Sequence, residues 1–212
     1  MKDELLTPPS PLPLPPCRLV VLSGPSGVGK STILRRLLER HPDRLRLSIS
    51  ATTRSPRPGE IHGTDYYFLS SEEFARRRAA DEFLECCEVF GRGHWYGTPH
   101  SEVEPSLEAG TSVILEIDVE GTLAVVEKYP AALTIFLRPS ASEELERRLR
   151  ERATESEEAI GRRLEVARRE LEQAGRYQHV IVNDTVAEAV EQISTILARE
   201  GVDQQGRRAS DD

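Results

Sequence analysis

The sequence predicts an α/β fold: a parallel sheet of five strands with helices on both faces. Three observations carry that prediction. Short apolar runs at residues 19–22, 45–49, 112–118, 133–137 and 180–184 alternate with segments of helical apolar spacing. The first run passes directly into Gly24-Pro25-Ser26-Gly27-Val28-Gly29-Lys30-Ser31, and the third ends on an acid, Asp118. A buried strand feeding a glycine turn and then a helix is the setting a phosphate-binding loop requires.

The elements follow in order. Residues 1–17 hold six prolines, which favour extended polyproline II backbone and add little to a core. They read as a solvated extension, with partner docking through P-x-x-P spacings as the alternative. After the loop, Ile33, Leu34, Leu37 and Leu38 recur at helical spacing, and His41-Pro42 stops the helix. Residues 50–64, rich in Thr, Arg, Pro and Gly, lack an apolar period and are expected to be a loop. Residues 65–69 read as a strand, Ser71 as a helix cap, 83–90 as a strand and 91–97 as a glycine-aromatic turn. Residues 50–98 therefore form an expected lobe inserted into the main sheet. Beyond the strand at 112–118, residues 121–128 read as a helix, and Leu133–Leu137 is closed by Arg138-Pro139. A helix starts at Ser142, and residues 154–158 form a capped break. Ile160, Leu164, Ala167, Leu171 and Ala174 then give a second helix one apolar face. Its arginines, balanced by Glu165, Glu170 and Glu172, read as a solvated surface. Val186, Val190, Ile193 and Leu197 mark a closing helix, and residues 201–212 a frayed tail.

Composition narrows the class. The 212 residues suit one domain with inserted lobes, and a net charge of −8 argues against a nucleic-acid binder. Cys17, Cys86 and Cys87 form neither a disulfide framework nor a metal-ligand pattern, which fits a reducing cytoplasm. No apolar run approaches the ~20 residues that cross a bilayer, and Met1-Lys2-Asp3-Glu4 is unlike a signal peptide.

The loop states its chemistry through residue type. Glycines let several N–H groups turn toward an anion, Lys30 supplies a point charge, Ser31 a hydroxyl for Mg²⁺, and the following helix its positive end. A chance glycine turn is the competing reading, and the flanking strand and helix argue against it. In a parallel sheet the loop, residues 50–57 and Asp118 would converge at the carboxyl ends of the strands.

The segments LSGPSGVGKST, SATTRSPRPGE, GTDYYFLS, WYGTP, ILEIDVEG, TESEEAIGRRL and VIVNDT resemble the guanylate kinase family over residues 18–200. The resemblance implies a P-loop NTPase core (18–49, 99–140 and 176–200), a GMP-binding lobe (50–98) and a helical lid (about 141–175). It implies Mg²⁺-dependent transfer of the ATP γ-phosphoryl group to GMP, and to dGMP, by a cytoplasmic monomer or homodimer needing no protein, membrane or nucleic-acid partner. It places ATP on Gly24, Pro25, Ser26, Gly27, Val28, Gly29, Lys30, Ser31 and Thr32, with Asn183 near the adenine. Ser31 and, through water, Asp118 serve the metal. Arg54, Arg57, Tyr66 and Tyr96 match the holders of the GMP phosphate, Ser50, Glu85 and Thr98 face guanine, and Glu116 and Asp118 lie between base, ribose and metal water. Lys30, Arg54, Arg148, Arg152 and Arg163 are the implied catalytic set, the last three as lid arginines.

The residue types make sense of that assignment. A carboxylate such as Glu85 accepts both the ring N–H and the exocyclic amine of guanine, whereas adenine offers it a lone pair. Two arginines and two tyrosine hydroxyls suit a dianionic phosphate held in line with the donor. Against the family pattern, Glu120 replaces a glutamine, Glu151 and Ala153 replace glycines beside Arg152, and the turn at 91–95 is longer. The glycine replacements are expected to stiffen the lid. His94 and Trp95 read as turn packing. The alternatives are another nucleoside monophosphate kinase and a non-catalytic scaffold domain of the same fold.

Overall fold

A computed structural model describes residues 18–88, 93–151 and 157–202; within them the side chains of Ser142, Arg148, Leu149, Glu151 and Ala159 are outside the description. The proline-rich segment 1–17, Arg152, Ala153 and the tail from 203 also lie outside it.

Five parallel strands make the main sheet in the order β2-β7-β1-β8-β9. They are β1 (Leu19–Ser23), β2 (Leu45–Leu47), β7 (Ser112–Glu116), β8 (Leu133–Pro139) and β9 (His179–Asn183). The expected α/β class and parallel sheet are therefore present. β1 is buried at every residue, which explains its unbroken apolar run. Its side chains alternate between two cores. Val20 and Leu22 join Ile33, Leu34 and Leu37 of α1 (Lys30–Arg40) and Ile193 and Leu197 of α7 (Val186–Arg199). Leu19 and Val21 face Val103 of α3 (His100–Glu108) and Val125 of α4 (Val119–Lys128) on the other side. The sheet order reverses direction around β1, so the crevice between β1 and β7 lies at the switch point of the sheet.

The lobe carries a second sheet that the sequence reading missed in part. Its order is β4-β3-β6-β5, with β3 (Ala51–Thr52), β4 (Tyr67–Phe68), β5 (Phe83–Glu88) and β6 (Trp95–Pro99). Residues 51–52 were expected in a loop but form the β3 strand, paired to β4 on one side and β6 on the other. Two residues are too short to show a period, and the ladder holds them instead. Residues 95–97, expected in a turn, belong to β6. Gly97 is required there because a Cβ would stand 2.9 Å from both Cys86 Cβ and the Glu85 carbonyl oxygen. A stack of Phe74 on Phe83 at 4.6 Å closes the lobe core, with Phe74 supplied by α2 (Ser71–Ala79). The cap of α2 is Ser70 rather than Ser71: its hydroxyl accepts from the Glu73 amide at 3.1 Å. Helix α3 escapes the sequence pattern altogether, because Pro105 sits inside it.

Helices α5 (Ser142–Glu151) and α6 (Glu157–Glu172) meet through Leu145, Leu164 and Ala167. Leu171 continues the expected stripe onto Val119 and Phe136 of the main body. Residues 201–202 are not frayed: Val202 is buried, and its amide donates to the Leu197 carbonyl at 2.9 Å.

Gly24 opens the phosphate loop at φ +143°, and a Cβ there would lie 2.3 Å from the Leu137 carbonyl oxygen on β8. Backbone contact of that kind has no side chain to yield. Gly24→Ala should lower the free energy of unfolding by about 2–4 kcal/mol, read from urea melts. An unchanged melt would mean that β8 retreats at no cost.

Candidate active site

A cleft of about 280 Å³ opens where β1 and β7 end. One wall is the loop between β1 and α1. Gly29 caps α1 in the left-handed region (φ 102°), and a Cβ there would sit 2.7 Å from Asn183 Nδ2. The ammonium of Lys30 donates to the carbonyls of Gly24 (2.6 Å) and Pro25 (3.3 Å), so the lysine lies across the loop mouth. Ser31 donates to Glu116 Oε1 at 3.1 Å, joining the loop to the end of β7. Ser26, Gly27, Thr32 and, beyond β7, Asp118 line the same space. Asp118 also caps α4, accepting from the Gly121 amide at 2.8 Å, so its carboxylate is held in place by a helix terminus.

The lobe supplies the opposite wall. Ser50, Arg54, Arg57, Tyr66, Glu85 and Tyr96 all face the cleft. The Arg54 guanidinium bridges both oxygens of Glu60 (2.9 and 3.0 Å) and donates to the Tyr96 hydroxyl at 3.2 Å. It also lies 5.4 Å from the centre of the Tyr66 ring. These contacts fix the arginine before any anion arrives. The bond to Glu60 raises the Arg54 pKa and lowers that of Glu60. Burial, then the nearby charge of Glu116, pushes the Tyr66 phenol up to about 12, so its hydroxyl stays a donor.

Glu85 is the chemically distinctive group. It is 4% exposed, and its Oε1 accepts from the Thr98 hydroxyl at 2.8 Å. Burial raises its pKa to about 7, against the pull of that hydrogen bond and with help from the charge of Asp118. A buried acid with one fixed donor and an open side toward a cleft fits a ligand that brings its own N–H groups. Thr98 itself is fully buried and reaches the cleft only through Glu85.

Not every expected residue reaches this space. Asn183 is 2% exposed, and its amide nitrogen donates to the Val28 carbonyl at 2.6 Å. It stands behind the loop and supports its backbone there. Val28 is buried with it. Arg163, on α6, reaches the loop: its Nη2 donates to Ser26 Oγ at 2.7 Å. The side chain of Arg148 and all of Arg152 lie outside the described residues.

Three participants escaped the sequence reading. Glu60 closes the turn of an arginine-rich loop, where an acid is a signal of pairing. Cys87 follows Glu85 by two residues on β5 and so shares its face; its thiol lies 3.8 Å from Asp118, and burial pushes its pKa up. Glu170 was expected in solvent but is 9% exposed and lines the cleft.

Comparison with known proteins now decides the family. Residues 16–200 match the family model described as guanylate kinase. The chain belongs to the guanylate kinase family. It is 54% identical over 183 residues to a guanylate kinase of Rhodopirellula baltica, covering 86% of this chain and 88% of that one. To a guanylate kinase of Gloeobacter violaceus it is 53% identical over 192 residues, covering 90% and 92%. The crystal structure of guanylate kinase from Anaplasma phagocytophilum superposes with a TM-score of 0.73 at 35% identity, covering 92% of this chain and 93% of that one. Guanylate kinases are nucleoside monophosphate kinases that move a phosphoryl group from ATP to GMP, and this chain is such an enzyme.

Proposed function

We propose that the cleft transfers the γ-phosphoryl group of Mg²⁺-bound ATP to GMP or dGMP in the cytoplasm, with Lys30, Arg54, Arg57 and Glu85 in the central roles. The observation that carries this is the division of one cleft between two chemistries. Anion-binding backbone, Lys30 and Ser31 line one side, while a fixed arginine, tyrosine hydroxyls and a buried carboxylate line the other. A donor held by its phosphates and an acceptor held by phosphate and base fit that arrangement.

The acceptor phosphate is assigned to Arg54, Arg57, Tyr66 and Tyr96, and the guanine to Glu85, Thr98 and Ser50. Ionised Glu85 accepts from two guanine N–H groups, and Thr98 holds the carboxylate at the angle this needs. Adenine would leave the carboxylate unpaired, so base choice rests on a lost pairing and not on size. Phosphoryl transfer needs little covalent help; in-line placement and charge compensation by Lys30 and the lid arginines Arg148, Arg152 and Arg163 supply the rate. Helices α5 and α6 are assigned as that lid. Arg163, bonded to Ser26, would bring its charge to the donor phosphates as α6 closes.

The donor set around Ser31 fits magnesium. Ser31, Glu116 and Asp118 offer hard oxygens only. That suits an ion that keeps phosphate oxygens and several waters. Ser31 would ligate it directly and Asp118 through water; bound there, Mg²⁺ offsets charge on the transferring phosphates. Among the described residues Cys86 and Cys87 are free thiols, in keeping with a reducing setting.

A coupled assay offering ATP with GMP, dGMP, AMP or dTMP tests the reading. GMP should be turned over fastest, dGMP next, with AMP and dTMP lower by about 10³-fold or more. Preference for AMP would replace the guanine assignment, and no turnover of any acceptor would favour the scaffold alternative.

A further inference from the structure

Helix α6 brings an acid to the phosphate loop as well as an arginine. Glu170 lies seven residues beyond Arg163, two helical turns on, so both project from one side of α6. Arg163 is bonded to Ser26, and Glu170 lines the cleft beside Lys30 and Asp118. Its side chain is buried, and Oε2 is shut off from solvent with no hydrogen-bond partner. A buried carboxylate oxygen in that state is costly unless a donor reaches it in another state of the protein. The charged groups facing it are Lys30 on α1, which favours its charge, and Asp118 at the start of α4, which opposes it. Lys30 meanwhile spends hydrogen bonds on the carbonyls of Gly24 and Pro25, which phosphates filling the loop would contest.

We propose that Glu170 is a positioning residue for Lys30: when ATP fills the loop, the ammonium leaves the loop carbonyls and pairs with Glu170 on one side and the phosphates on the other. Setting the lysine and seating α6 are then one movement. A lysine–glutamate pair contributed by a mobile helix organises phosphates in the same way in protein kinases. The inference rests on the reading of this cleft as the ATP site. It adds a group whose role is to hold another side chain, and it explains why α6 carries an acid into a place meant for anions.

Five proteins test it: the wild type, Glu170→Gln, Glu170→Asp, Lys30→Met and the Glu170→Gln/Lys30→Met double variant, with ATP binding read by calorimetry and turnover by the coupled assay. Glutamine keeps the shape of the buried side chain and removes its charge. In the presence of Lys30, Glu170→Gln should weaken ATP binding by about 30-fold. In the Lys30→Met background the same change should weaken it by less than about twofold, because the partner is gone. The KM for GMP should stay within about twofold of wild type. The ligand-free Glu170→Gln protein should melt no lower than the wild type because it lacks a charge that burial disfavours, and Glu170→Asp should recover part of the lost affinity. An equal loss in both backgrounds, no loss, or tighter binding would overturn the proposal. So would failure of both Glu170→Gln and Glu170→Asp to fold, which would make the residue structural. Failure of the functional reading would instead appear in the wild type, as no phosphorylation of GMP.

Discussion

Lys30→Met should reduce the turnover number for GMP phosphorylation by about 10³-fold or more, with the melting temperature within a few degrees of the wild type. A factor of 10³ is about 4 kcal/mol of lost transition-state stabilisation, within the range a single preorganised cation supplies beside a transferring phosphoryl group. Stability should change little because Lys30 is the first residue of α1 and methionine has nearly the same helix propensity. The hydrogen bonds to Gly24 and Pro25 would be lost, but those carbonyls border an open cleft where water can replace the ammonium. The measurements are single-turnover kinetics at saturating ATP and GMP, with a thermal melt alongside. Residual turnover within tenfold of wild type would move the lysine away from the reacting phosphates, and a collapsed melt would make its bonds to the loop structural.

The parts of the molecule most legible in the sequence are those that local rules over-determine. β1, β7 and β8 are buried on both faces, so each reads as an apolar run whatever surrounds it. The phosphate loop is equally plain, since Gly24 and Gly29 occupy conformations that other residues rarely adopt. The lobe is less so. Ala51 and Thr52 are held as a strand by β4 and β6, partners distant in the chain, and Gly97 is a strand residue chosen for close packing but looks like a turn signal. Glu170 misled for a related reason. Composition balances its charge against nearby arginines, yet the helix phase shared with Arg163 turns it inward. Asn183 shows the opposite limit: its position beside the loop is evident from β9, but which side of the loop its amide serves depends on packing around Val28.

Glu85→Gln should raise the KM for GMP by about 10²–10³-fold and leave ATP binding within about twofold. The glutamine oxygen can accept one guanine N–H, but its NH₂ would point a donor at another donor, so the substitution trades an attraction for a repulsion. The protonation of Glu85 adds a pH signature. With a pKa of about 7 in the free protein, the ionised fraction rises about tenfold between pH 6 and pH 8. The kcat/KM for GMP should therefore climb by about that factor across the interval, and the climb should be absent in the Glu85→Gln protein. The sign for stability is the reverse. The folded-state pKa lies above the ordinary value of 4.5, so the folded form binds this proton more tightly than the unfolded chain. That contribution is fully present below pH 4.5 and is lost as the pH rises to 7, about 3 kcal/mol in all. Denaturant melts of the Glu85→Gln protein should show this component of the pH dependence removed, making it the more stable protein above pH 7. Guanine binding is thus expected to work against folding at one side chain: the ionised carboxylate that reads the base is the form the empty lobe disfavours. If Glu85→Gln weakened ATP and GMP alike, or kept the pH rise in kcat/KM, the carboxylate would be holding the lobe together and not reading the base.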